Sequence, residues 1–121
     1  MLYANNIHRN TLLRIGRNGD GSFAGAEVLE TSAPLGGPDG LRPLSGNRML
    51  QSEGNAGTIT VLTFSDNGPV QVQVIASGID YASSVTTAGG RAYFPEGKLR
   101  LMADPAADAG TFVIRSVELP R

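Results

Sequence analysis

Three side-chain oxygens alternate along RNGDGS (residues 17 to 22), those of Asn18, Asp20 and Ser22. Alternating oxygens are how a calcium loop opens. An EF-hand loop also needs flanking helices and a bidentate glutamate at its twelfth position, and counted from Asn18 that position is Leu29. A glycine-rich β-turn fits better, and no metal or cofactor is expected. The spacing of Gly16, Gly19 and Gly21 raises the question of a nucleotide loop. A phosphate cradle, however, needs a following helix whose free N–H groups point at the anion. The next residues, FAGAEVLE (23 to 30), read instead as a strand. The same reasoning applies to TTAGGRAYFPEGKLRLMAD (86 to 104): Gly89-Gly90 leads into RAYF, again a strand, so the glycine pair is read as a turn.

His8 is the only histidine, in a polar N-terminal stretch, and no nucleophile elbow of the form G-x-S-x-G accompanies it. Asp104 with Asp108, or Glu27 with Glu30, could converge as paired carboxylates. The aspartates look like turn formers and the glutamates like solvated strand-end charges. Tyr3, Tyr81 and Tyr93 could serve as platforms for a sugar, but tryptophan, the best stacking surface, does not occur. No catalytic residue is assigned, and the chain is not expected to be an enzyme.

The elements that must carry these residues are strands. No window of eleven or more residues keeps an apolar stripe at 3.6 spacing without a Gly or Pro breaking it. TITVLTF (58 to 64) and VQVQVIA (70 to 76) are β-branched and apolar, separated by SDNGP, whose Asn67-Gly68 could supply the positive φ angles of a tight hairpin. Val72 and Val74 then belong to the core, with Gln71 and Gln73 outside. TLLRI (11 to 15), YASSV (81 to 85), RAYF (91 to 94), KLRLMA (98 to 103) and TFVIRSVEL (111 to 119) are further candidate strands. Together they predict an all-β fold, a small antiparallel β-sandwich of Ig-like or jelly-roll-like type.

Residues 31 to 57, TSAPLGGPDGLRPLSGNRMLQSEGNAG, show no period yet carry Leu35, Leu41, Leu44, Met49 and Leu50. Two readings are open: a long crossover loop packed on its own sandwich, or an extended arm with its leucines buried in a neighbouring subunit. The organisation expected is one compact domain of 121 residues, with N-terminal strands and arm or loop over 1–57 and a sandwich core over 58–121.

A formal charge of −1 without charged blocks carries no footprint of a nucleic-acid or membrane-surface binder. No apolar run approaches the ~20 residues that span a bilayer, and a soluble, unprocessed chain is expected. The chain has no cysteines, which excludes disulfides and thiolate sites.

From about residue 57 onward the order of pieces is GTITVLTF, SDNGP, VQVQVIASG, TTAGGRAYFPEGKLRLMAD and GTFVIRSVEL. This order resembles small β-sandwich virion proteins of tailed bacteriophages, of the head decoration or cement type. The motifs carrying the resemblance are Thr87-Ala88-Gly89, the aromatic strand with Tyr93 and Phe94, the turn Pro95-Glu96-Gly97, and Arg100. The resemblance implies a place in a virus particle, expected here to be that of a non-enzymatic capsid decoration protein, a homotrimer clamping neighbouring major capsid subunits in a virion assembled in the host cytoplasm. The alternative it leaves is a tail or fibre component that binds a host glycan or another tail protein. Leu41, Leu44, Met49, Leu50, Arg91, Tyr93 and Arg100 are the expected interface residues.

Overall fold

A computed structural model describes residues 1–104 and 106–121. Its elements are strands β1 (Leu2–Asn6), β2 (Thr11–Arg17), β3 (Phe23–Leu29), β4 (Pro38–Pro43), β5 (Arg48–Glu53), β6 (Thr58–Thr63), β7 (Gln71–Ala76), β8 (Thr86–Ala88), β9 (Arg91–Pro95) and β10 (Ile114–Glu118). A 3-10 helix, Leu99–Ala103, precedes β10. The strands form three antiparallel sheets, ordered β1-β2-β3, β4-β5-β6-β7 and β8-β9-β10. The expected all-β, sandwich-like fold is the observed one.

The four-stranded sheet is the middle layer, because its central strands bury both faces. Leu50, Ile59 and Val61 pack with Ala92 and Phe94 of β9 on one side, and Leu62 packs with Leu12 of β2, Leu35 and Val70 on the other. Tyr3 and Phe64, ring centroids 4.7 Å apart, add an aromatic contact between β1 and the end of β6. A strand covered on both faces loses the alternation that a one-sided strand shows. That explains why β5 is hard to read in sequence. Its Gln51, Ser52 and Glu53 are polar yet buried, and two of them serve the backbone nearby. Ser52 Oγ accepts from the Gly40 N–H at 2.8 Å, and Glu53 Oε1 from the Gly36 N–H at 2.7 Å.

The segment 31 to 57 is therefore not an arm. It supplies β4 and β5 to the middle sheet, and β5 pairs with β6 along its whole length, from Arg48 opposite Thr63 to Glu53 opposite Thr58. The prolines and glycine of β4 are tolerated because β4 is an edge strand. The division near residue 57 falls inside the tight Glu53–Gly57 turn, closed by the Gly57 N–H donating to Glu53 O at 2.9 Å.

Further expectations need correction. The β6–β7 hairpin exists, but neither Asn67 nor Gly68 has a positive φ. The connection is a wider loop after Thr63, whose pair is Gln71. Val72 packs against the Leu62 cluster, whereas Val74 is 56% exposed. Strand β7 is the outer edge of its sheet, and Ile75 is an extra residue between the pairs Thr60–Val74 and Ile59–Ala76. YASSV contributes one bridge, Ala82 to Glu96, and KLRLMA winds into the 3-10 helix. The Gly89-Gly90 turn is as expected: both φ angles are positive (55° and 77°), and Ala88 pairs directly with Arg91.

Candidate functional site

Two loops meet beside the turn that joins β5 to β6. The Gly97 N–H donates to Tyr81 O at 2.8 Å, the Lys98 N–H to Asp80 O at 3.0 Å, and the Asp80 N–H to Glu96 Oε2 at 3.0 Å. Glu96 is held in turn by Arg115 at 3.2 Å. Within this lacing Tyr81 and Lys98 adopt left-handed backbone conformations, φ 60° and 50°, which non-glycine residues rarely accept. Such strain persists only where surrounding contacts over-determine it.

The loops line an open cleft of about 450 Å³. It is lined by Leu99, Tyr81, Asn55, Asp80 and Arg100, over the buried Ile79. Arg100 places Nε 3.0 Å and Nη2 2.9 Å from the same carboxylate oxygen, Asp80 Oδ2. Burial, and secondarily the charge of Asp39, pushes the Tyr81 phenol above its ordinary value. The only lysine, Lys98, turns away. Its ammonium donates to Ala109 O at 2.6 Å and Thr111 O at 2.8 Å and lies 5.2 Å from the Phe112 ring centroid, pinning the chain between the 3-10 helix and β10.

The expected interface residues are not brought together. Leu50 is fully buried, Leu44 packs on the same cluster, and Leu41 and Met49 pack on the opposite face of the middle sheet. They are core of this chain. Tyr93 and Arg91 do share the outward face of β9, where Arg91 donates to Ser116 Oγ at 3.2 Å (Nε) and 3.1 Å (Nη2) and lies 3.7 Å from Glu118. Arg100 stands apart, in the cleft.

The remaining candidates are engaged locally. Asp20 Oδ1 accepts from the Ser22 hydroxyl at 2.6 Å and the Ser22 N–H at 2.9 Å, and these bonds hold its carboxyl below the usual range. Asp104 and Asp108 cap their own turns through the Ala106 and Gly110 N–H groups. Glu27 lies 3.8 Å from Arg14, and His8 is exposed in the turn between β1 and β2. Among the described residues, no group of three or more His, Asp or Glu is placed to hold a metal ion.

A second feature lies beyond what the sequence pattern suggests. Leu12 is buried toward the middle sheet, so its strand neighbours Leu13 and Ile15 face outward, and pairing sets Leu2 and Ala26 beside Ile15, and Ala4 and Val28 beside Leu13. Six uncharged aliphatic side chains thus line one outer face, with Leu2 47% and Val28 60% exposed. The alternation of TLLRI carries part of this signal, but β1, which ends in Asn5 and Asn6, does not read as its partner strand. In comparison with known proteins, no family model matches the chain, and no curated protein or solved structure shows significant similarity to it.

Proposed function

We propose that the protein is a non-enzymatic virion structural protein that decorates a bacteriophage capsid, associating as a homotrimer and clamping neighbouring major capsid subunits. The observation that supports this reading is the uncharged aliphatic face of the β1–β2–β3 sheet. Sheets of soluble proteins ordinarily turn polar side chains to water, and an outer sheet face lined by aliphatic side chains departs from that pattern in the way a contact surface does. Its extent, about 17 Å along the strands by about 14 Å across them, is roughly 240 Å² in projection. That is well below the ~800 Å² per partner of a stable pairwise interface. The face can therefore be only the apolar part of a trimer contact, and a clamp repeated over a shell adds the strength of many such contacts held together. The work of such a clamp is mechanical: buried apolar area at ~25 cal/mol per Å² must be lost before a subunit boundary opens.

The test is light scattering after size exclusion, together with co-sedimentation on undecorated capsids. The parent chain should be trimeric and sediment with shells. Leu2→Asp with Val28→Asp, at exposed positions, should remain folded but be monomeric and stay in the supernatant. A parent chain that is monomeric and ignores shells overturns the reading. A count of only a handful to dozens of copies in purified particles favours the alternative, a tail or fibre component.

A further inference from the structure

We propose that the cleft between the loop of Ile79, Asp80 and Tyr81 and the start of the 3-10 helix is a binding site for a neutral sugar, a mono- or disaccharide. A pyranose ring has an apolar face of C–H groups and a rim of hydroxyls, each both donor and acceptor. The cleft is lined by residues of both kinds: Tyr81 and Leu99 on one hand, and Asn55, Asp80 and Arg100 on the other. Neighbouring hydroxyls suit a carboxylate that accepts beside a guanidinium or amide that donates.

Charge selects against ionic ligands. Arg100 and Asp80 neutralise each other at 2.9 Å, so neither an anion nor a cation finds a net opposite charge. Arg100 commits Nε and Nη2 to one oxygen of Asp80, and that pairing leaves Oδ1 of the carboxylate and Nη1 of the guanidinium for hydroxyls. The volume, about 450 Å³, lies within the ~300–1,000 Å³ typical of small-molecule sites.

The site is also held in shape before any ligand arrives. Tyr81 and Lys98 keep left-handed backbones because Gly97, Lys98 and Asp80 N–H groups are all bonded across the two loops. Gly54 leaves room for the Tyr81 ring, since a Cβ there would meet ring carbons Cε1 and Cε2 at 2.7 Å. A rigid site of this kind spares the ordering cost that a weakly binding sugar cannot offset. This inference is independent of the virion reading and concerns a different surface from the β1–β2–β3 face.

The experiment is a titration of the isotopically labelled full chain, monitored by amide NMR, with glucose, galactose, N-acetylglucosamine and their disaccharides, and with sodium sulfate as an anionic control. At least one sugar should produce saturable shifts centred on Asn55, Asp80, Tyr81 and Arg100. Arg100→Ala and Asn55→Ala, both at exposed side chains, should keep the parent spectrum elsewhere and weaken binding at least tenfold. Absence of saturable shifts with every sugar overturns the proposal. So do shifts that survive both substitutions unchanged, or saturable binding of sulfate in place of sugar.

Discussion

The ring of Tyr81 rests on the backbone of Gly54, so closely that a methyl group on Gly54 would lie 2.7 Å from both Cε atoms of the ring. Gly54 directly succeeds β5, Tyr81 sits in the left-handed region of a distant loop, and the contact ties the middle sheet to the cleft. Gly54→Ala should therefore displace the ring and cost about 1–3 kcal/mol, as overpacking does. Gly19→Ala, with nothing within 4 Å of the added methyl, should change stability by less than about 0.5 kcal/mol. In a urea double-mutant cycle Gly54→Ala and Tyr81→Ala should be strongly non-additive, because the second substitution removes what the first collides with. Additive effects would show that the ring is not confined by Gly54.

The same burial sets a pH dependence. Folding raises the Tyr81 phenol above its ordinary value, first through desolvation and then through the nearby charge of Asp39. Raising the folded pKa means that the contribution to stability is fully present below the unfolded value and is lost as pH rises through the folded one. Denaturation midpoints should fall above about pH 10. Tyr81→Phe, which cannot ionise, should show a shallower alkaline decline than the parent. Equal slopes would place the alkaline sensitivity elsewhere.

Local pattern and tertiary contact divide the fold between them at particular residues. Val72 and Leu13 obey the alternation of strands, and β2, β3, β7 and β9 are legible from it, while β6 is legible as a continuous β-branched and apolar run. The Gly89-Gly90 turn is legible because two successive positive φ angles in a two-residue hairpin admit few other residues. Strand β5 escapes detection because Gln51, Ser52 and Glu53 are polar yet buried, and the bonds of Ser52 and Glu53 to the Gly40 and Gly36 backbone are tertiary facts that no local pattern carries. The cleft escapes for a similar reason: Asn55, Tyr81 and Arg100 converge only through the lacing of two loops. Tyr81 as a platform and Arg100 as a contact residue are each visible in the sequence, and nothing local joins them.

Buried polar groups within the middle sheet give a third test. Gln51 and Thr60 are cross-strand neighbours, both fully buried, and neither the Gln51 amide atoms nor Thr60 Oγ1 has a hydrogen-bond partner among the described residues. An unsatisfied buried polar group costs about 1–3 kcal/mol, and replacing both members by apolar groups of similar shape removes that cost. Gln51→Met with Thr60→Val should raise the stability of the chain by about 1 kcal/mol or more. Chemical denaturation monitored by far-UV circular dichroism checks this. A loss of stability in the double variant would mean that the pair is hydrogen-bonded in solution.

The last prediction concerns where the fold keeps its core. Leu50 is wholly buried between β6 and β9, and its strand pairs with β6 from end to end. Leu50→Ala should cost about 2–5 kcal/mol, the range for a large core side chain cut to alanine and a large part of the ~5–15 kcal/mol that keeps a domain folded. Val74→Asp, by contrast, places a charge at a position already 56% exposed and should be nearly silent despite the strand pattern around it. The same geometry predicts that a fragment of residues 58–121 does not fold alone, since β6 loses β5 along one edge and Ile59 and Val61 lose Leu50. Cooperative melting of that fragment would show that β8–β10 and the β6–β7 hairpin suffice for a core. Its absence, together with recovery on adding residues 1–57 as a separate peptide, would establish that the first half of the chain builds the sheet on which the second half folds.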